Sequence, residues 1–592
     1  MKKIISLLLA LAVMLSFSLT GTAAFASEIK YSDIVIDADK LSSDSPSDNA
    51  KIFQAAFDEA KNKASDENRY RIYLPKGEYH INTTLNIFSN TELYLDEDTT
   101  LVQDAPKGQN IVKAGDFSQK HILYNGFRNI KIDGGKWNMQ FNGSCAMRFG
   151  HCTNLSISNV HIVNVKDAHH IEAAAVDTLS ITDSTFTSSS RTGSNSCEAI
   201  QLDILHDSKH FPGFEEFDDT PNKNVTISGC TFSNLYSGIG TRSAVVSKYF
   251  DNVVIENNKF ENIQEKAISC FNYKNSKIIN NTFTNVNSGI CFEYLPNNFF
   301  GNYSQRMYIA NDKNVGKINS KSSTVISNNT IQLKENSDAS SYGIYAYGGK
   351  VDAATAKAKG IVAGDYTISD LSISNNTITV DKDSSQSRGI FVTGVNKSEI
   401  SSNDLTNFAS AGDGINGINI CASQKNVIKN NNISGTFNNG ISLYDSNFAS
   451  SKNTLITSNS ISGVKTYGIR VAESSYATIK SDNNISAGRS PLCLYSQDKS
   501  QNVPIPSVKS KGYSLRNKPL IRFSSLNGSA GYKVSRCAYN GTFKDIATSY
   551  GENLNFEDKS SAAFSKNYYR ITPIYNVGGT IVIGKNYIDV AF

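Results

Sequence analysis

Between His169 and Glu293 the chain repeats one short pattern of apolar and polar positions. A small residue is followed by Ile and then by further alternating residues: Ala199-Ile200-Gln201-Leu202-Asp203, Gly238-Ile239-Gly240-Thr241-Arg242, Ala267-Ile268-Ser269-Cys270-Phe271 and Gly289-Ile290-Cys291-Phe292-Glu293. One unit earlier, His170-Ile171-Glu172-Ala173-Ala174 fits the same frame. Each segment has a β-branched partner ahead of it, such as Leu179-Ser180-Ile181, Val225-Thr226-Ile227, Val253-Val254-Ile255 and Lys277-Ile278-Ile279. A unit of about two dozen residues recurring this often predicts a solenoid. Period-two alternation with Gly, Asn and Ser at the turns makes it a β-solenoid.

Stacking these units gives a candidate site. Side chains alternate across a strand, and neighbouring strands lie ~4.8 Å apart. With the Ile in the core, the residues one before, one after and three after it are expected on the outer face. Down the stack that face reads His170 and Glu172, Gln201 and Asp203, Arg242, Phe271, then Glu293. Later units place blander residues there, such as Thr393 and Ser442, with Arg470.

The flanking segments complete the fold. Asp33 to Asp37 reads as a strand, and Ser47-Asp48 as the cap of a helix with Ile52, Phe53, Ala56, Phe57 and Ala60 on one face. Residues 46–63 are expected to close the open first rung of the solenoid. Paired asparagines recur at later turns: Asn257-Asn258, Asn280-Asn281, Asn328-Asn329, Asn375-Asn376 and Asn430-Asn431. Asn tolerates left-handed backbone and its amide bonds neighbouring backbone, so an asparagine ladder is expected. Insertions at Leu205 to Asn222 and Leu295 to Ser322 leave directly after the Asp203 and Glu293 strands. Their aromatics, Phe211, Phe214, Phe299, Phe300, Tyr303 and Tyr308, either stack on sugar rings or pack within their own loops. A third, Ala/Lys-rich insertion covers Ala353 to Gly364. From about Pro504 the pattern changes to short strands at sandwich spacing, with Pro504-Ile505-Pro506 in the linker.

Composition narrows the classes. The 592 residues carry a net charge of +4 with no basic, aromatic-interleaved stripe, so no nucleic-acid surface is expected. Lys2, Lys3, the apolar run Ile4 to Leu19 and Ala24-Phe25-Ala26 read as a secretory signal over residues 1–26. A secreted, extracellular protein, free or associated with the cell surface, is expected, with no later membrane span. The nine cysteines show no CxxC pair, and Cys270 reads as a core filler.

The opening residues make the resemblance specific. The string DNAKIFQAAFDEAK … RIYLPKGEYHI … TELYLDEDTTL resembles the opening module of the pectin-lyase-like superfamily. The resemblance spans residues of about 30 to 500 and implies a right-handed parallel β-helix. It implies kinship with polygalacturonases of glycoside hydrolase family 28, polysaccharide lyases, epimerases and phage tailspikes. The string GYKVSR … GTFKDIA … YYRITPIY is similar to fibronectin type III modules appended to carbohydrate-active enzymes. The expected domains are thus a β-helix at 27–502, a linker at 503–516 and a fibronectin-like sandwich at 517–592.

Glycosidic hydrolysis needs a proton donor and a second carboxylate. Glu172 and Asp203 are candidates one rung and two residues apart, a backbone offset of ~8 Å that leans towards inversion. Glu198 is a third carboxylate, and His170, Gln201, Arg242, Phe271 and Glu293 are candidate substrate contacts. Family 28 signatures depart here: Asp218-Asp219 lies in an insertion and Gly238-Ile239-Gly240 carries Ile where that family has His. No family 28 catalytic residue transfers. The alternatives are a lyase or epimerase on a uronic-acid polymer, with Arg242 facing the uronate, or a non-catalytic adhesin-like glycan binder. No cofactor is expected for a hydrolase. For a lyase, Ca²⁺ in the acidic loop Glu215/Glu216/Asp218/Asp219 stays open, although the spacing matches no EF-hand. The expected partner is a polysaccharide, bound by a monomer.

Overall fold

The computed structural model describes residues 29–592 apart from short stretches, the longest being 295–306 and 495–506. The signal at 1–26, the linker prolines, Phe299, Phe300 and Tyr303 lie outside the described residues. Two long parallel sheets, of 29 and 14 strands, wind around one core as a right-handed parallel β-helix. Every rung sets Ile, Val or Leu inward: Ile171 pairs with Ile200, Ile200 with Ile239, Ile239 with Ile268, and Ile268 with Ile290. All five are buried. In the second sheet, Phe186, Phe232, Phe260 and Phe283 stack face to face at 5.0, 4.7 and 4.8 Å.

The asparagine pairs divide their labour. The first of each adopts the left-handed conformation, with φ between 55° and 58° at Asn257, Asn280, Asn328, Asn375 and Asn430. The second turns inward and is buried. From Asn258 through Asn281, Asn329 and Asn376 to Asn403, each side-chain amide donates to the next asparagine's Oδ1 at 2.9–3.0 Å. The ladder continues through Asn431 and Asn459 to Asn483 at 2.9 Å. Each buried amide thereby bridges rungs, and it also donates to a strand carbonyl of the rung before, as Asn258 does to Ile227 and Asn281 to Ile255 at 2.9 Å.

Helix Pro46–Lys63 covers the first rung with Phe53, Ala56, Phe57 and Ala60 buried. Its start differs from the sequence expectation: Pro46 opens the helix and Ser45 is the N-cap, so Ser47 and Asp48 sit in the first turn. Proline's fixed φ and missing N–H suit that position. At the other end, antiparallel strands form two small sheets around Ile521, Phe523, Tyr532, Val534, Tyr569 and Ile571. Its first strand, Val508–Tyr513, pairs with Pro519–Phe523 and falls within residues expected as linker. Among the described residues no helix is long and apolar enough to cross a membrane.

Candidate active site

The outer face of the larger sheet is organised by a bend at the start of each strand. The small residue before the core Ile does not point outward. A Cβ on Gly238 would meet the Phe260 ring at 2.7 Å, and one on Gly289 would meet Ile331 at 3.0 Å. The residue two before the Ile faces out instead. His170 occupies the small-residue place and corrects the expectation that it joins the site. It is fully buried, its ring edge-on to Phe186 at 5.9 Å and its Nε2 on the Thr187 carbonyl at 3.1 Å. Burial pushes its pKa down to about 4. Its neighbour His169 takes the outward place.

Two outward columns therefore floor the site. One runs Lys113, Arg148, Glu172, Gln201, Gly240 in register. The other holds Cys145, His169 and Glu198. They open on a cleft of about 670 Å³ that Glu172, Glu198, Gln201 and Arg242 all line. The Arg148 Nε donates to Glu172 Oε2 at 2.5 Å, and the Cys145 thiol lies 3.4 Å from the same oxygen. The His169 Nδ1 sits 2.9 Å from the Glu198 carbonyl and 3.6 Å from its Oε2. A Cβ on Gly240 would fall 2.4 Å from Glu198 Cγ, so glycine leaves the space in which Glu198 lies.

Asp203 shares the face but not the cleft. The Gln201 amide nitrogen donates to Glu172 Oε1 at 3.1 Å and to Asp203 Oδ2 at 3.2 Å, so those oxygens are at most about 6.3 Å apart. The amide fills the interval that an inverting pair keeps for water, ~6.5–9.5 Å wide. Asp203 is fully buried; its Oδ1 accepts the backbone N–H groups of Ile204 and Ser243 at 2.9 and 3.0 Å. Burial raises its pKa to about 6, with Glu172 adding to the rise against those hydrogen bonds.

The first insertion seals Asp203 in. Leu205 and Phe211 pack on Ala174 and Ala175, and Phe214 lies against Gly150. Tyr308, from the second insertion, packs on His206 and His210 at 4.5 and 5.7 Å. These aromatics pack within the loops rather than lining an open platform. The loop's backbone ties down the basic end of the cleft: the Pro212 carbonyl accepts from Arg148 Nη1 and the Gly213 carbonyl from Lys113 Nζ, both at 3.1 Å. Burial and the neighbouring Arg148 lower the Lys113 pKa to about 8. Its acidic residues are already engaged: Glu216 by Lys120, Asp218 by the Leu123 and Thr220 N–H groups, Asp219 by His206 and Asn311. Among the described residues no group of three or more His, Cys, Asp or Glu is placed to hold a metal.

Phe271 and Glu293 lie further along and do not line the cleft. Phe271 is buried in a separate apolar cluster with Tyr345, Tyr347 and Tyr366. Glu293 is buried with Lys266 Nζ at 3.4 Å. Arg242 reaches the cleft edge, its Nε buried without a hydrogen-bond partner. Sequence reasoning missed Lys113, Cys145, Arg148 and His169. The run of Ala or Gly before each core Ile was the available signal that this place points inward.

A family model described as rhamnogalacturonase A/epimerase, pectate lyase-like, matches residues 40–248. One described as right handed beta helix region matches 219–357 and 317–485. No curated protein matches the sequence. Among solved structures, a tailspike protein of E. coli bacteriophage HK620 matches with a TM-score of 0.52 at 10% identity, over 94% of this chain and 92% of that one. Another structure of that tailspike, in complex with pentasaccharide, gives 0.51 at 11%, over 92% and 88%. The Streptococcus pneumoniae surface protein and adhesin PfbA gives 0.47 at 19%, over 78% of this chain and 100% of that one. Likeness at these identities is one of fold. The rung register and the two family models show a right-handed parallel β-helix, whose residues 40–248 are similar to the rhamnogalacturonase A/epimerase, pectate lyase-like family.

Proposed function

We propose that the protein hydrolyses glycosidic bonds of a polysaccharide in the cleft over Glu172 and Glu198. One observation carries this reading: two carboxylates from adjacent rungs line the same cleft in different company. Glu172 accepts from the Arg148 guanidinium, whereas Glu198 lies beside the His169 imidazole. Hydrolysis needs a carboxylate that activates water or attacks the sugar, and a carboxylic acid that protonates the leaving oxygen. Glu172, charge-paired, takes the first role. Glu198, next to a group that can exchange its proton, takes the second. Gln201 stands between Glu172 and Asp203, and Asp203 fixes its amide as a positioning residue. Lys113, Arg148 and Arg242 give the cleft a basic wall suited to an acidic polymer. The protein acts outside the cell in this reading, in keeping with the signal pattern at 1–26. The C-terminal sandwich then serves as a fibronectin-like accessory module.

The second reading is elimination or epimerisation on a uronic-acid polymer. Lys113 favours it, since a pKa brought to about 8 beside Arg148 makes its neutral amine accessible, and that amine is suited to taking a proton next to a neutralised carboxylate. A panel of neutral and acidic polysaccharides, assayed for new reducing ends and for the ultraviolet absorbance of an unsaturated uronide, separates the two. Hydrolysis yields reducing ends alone. In Glu198→Gln or Glu172→Gln that activity falls by ~10²-fold or more. Binding without either product supports the adhesin-like alternative instead.

A further inference from the structure

A second cleft, of about 870 Å³, opens on the same sheet further down the helix. From Gln201, in-register pairing passes through Gly240, Ser269, Cys291, Tyr345 and Phe391 to Asn419, six rungs or about 29 Å away. The buried cluster of Phe271, Cys291, Tyr345 and Tyr347 lies between the two clefts. The second is a separate place on the molecule.

Its floor is a chain of buried amides with both ends unused. Asn416 Oδ1 accepts the backbone N–H of Asn439 at 3.1 Å and the Asn439 side-chain amide at 2.7 Å. A backbone donor fixes which atom of Asn416 is the oxygen, so its Nδ2 must donate, and it does so to Asn419 Oδ1 at 2.7 Å. This leaves Asn419 Nδ2 as a donor and Asn439 Oδ1 as an acceptor, each buried without a partner. Both residues are at most 4% exposed. Arg388 Nη1 is likewise buried and unpartnered, and all three residues line the cleft. Unpaired polar atoms are costly in a folded protein, and three around one cavity mark a place where a ligand completes the bonding.

The walls define the ligand's charge. Arg388, Arg470 and Arg489 line the cleft against a single acid, Asp445, which already accepts the Ser475 hydroxyl. Arg489 lies over the Tyr467 ring at 5.5 Å, and Arg388 over Tyr342 and Phe391 at 5.5 and 5.9 Å, so the rings hold two of the guanidiniums in place. A planar fork of donors matches a carboxylate, and an adjacent amide donor and acceptor match sugar hydroxyls.

We propose that this second cleft binds an acidic saccharide unit, a uronate whose carboxylate meets Arg388 and Arg470 and whose hydroxyls meet Asn419 and Asn439. It would anchor an acidic polymer on the same face as the first cleft, independently of whatever reaction occurs there.

Affinity electrophoresis of the full chain tests this, with gels carrying polygalacturonate, alginate or hyaluronate, and methyl-esterified polygalacturonate as the uncharged counterpart. At least one acidic polymer is expected to retard the protein, and its esterified or neutral counterpart is not. The double variant Arg388→Gln/Arg470→Gln should weaken that retardation by about tenfold or more. Arg489→Glu, a charge reversal at an exposed position, should weaken it as well while leaving Tm near the parent's. Indifference to all three acidic polymers overturns the proposal. So does equal retardation by the esterified polymer, or retardation that the Arg489→Glu chain retains in full.

Discussion

At the scale of single residues, two buried titratable groups act in opposite senses over one pH window. Asp203 has its folded pKa raised to about 6 from an ordinary value near 3.8. The folded state therefore binds more protons than the unfolded chain between those values, and Asp203's contribution to stability falls as pH rises through them, by about 3 kcal/mol in all. His170 has its folded pKa lowered to about 4. There the unfolded chain binds more protons, so its contribution grows as pH rises from about 4 to 6.5. Only a difference between variant and parent isolates either one. Urea unfolding of Asp203→Asn and the parent at several pH values should show the variant gaining on the parent as pH rises from about 4 to 6, then holding level. A difference flat across that range would mean that Asp203 titrates normally. The two adjacent histidines give a sharper contrast. His169→Ala should lower turnover by tenfold or more with little change in Tm, since His169 faces the cleft beside Glu198. His170→Ala places alanine where Ala146 and Ala199 stand in the neighbouring rungs, and should leave turnover near the parent's while shifting Tm.

At the scale of the strand and turn, the asparagine pair separates a conformational role from a bonding one. Asn376 accepts from Asn329 and donates to Asn403 within the buried ladder. Asn376→Ala leaves both the backbone N–H and the side-chain amide of Asn329 without their acceptor inside the core, which should cost about 3 kcal/mol or more. Asn375 has φ 56° and glycine adopts that backbone freely, so Asn375→Gly should change stability by less than about 1 kcal/mol. Thermal unfolding of both distinguishes the roles, and equal effects would contradict them. Gly240 tests how Glu198 is placed. Its φ is outside the left-handed region, so the backbone accepts alanine, but the new Cβ would displace Glu198. Gly240→Ala should reduce turnover by about tenfold or more while Tm moves little.

Across the whole molecule, the architecture was readable because a solenoid repeats its own evidence for every rung. Ile200, Ile239, Ile268 and Ile290 mark the core four times over, and the paired asparagines mark the turns as often. The site was readable only in part. Glu172, Gln201, Glu198 and Arg242 do meet at one cleft. His170 does not, because strict period two breaks at the bend before each strand and carries its neighbour outward instead. Asp203 keeps its face but is buried beside Ala174, over which Leu205 and Phe211 pack, and no alternation pattern reports what a long insertion folds over. Phe271 shares the same column one rung beyond Arg242, yet neighbouring tyrosines from later rungs bury it. Arg148 and Lys113 were invisible for a different reason: their rungs carry Met147 and Val112 in place of the core Ile, and only the register joins them to Glu172.

The proposal that this cleft breaks glycosidic bonds through Glu172 and Glu198 is tested most directly by one product assay. The full chain and its Glu198→Gln variant are incubated with a panel of neutral and acidic polysaccharides, and reducing ends and unsaturated uronide are followed together. Reducing ends without the uronide chromophore, lost in Glu198→Gln, is the result predicted here. Reducing ends that persist at the parent's rate in Glu198→Gln, or a chromophore that rises in step with them, would contradict it.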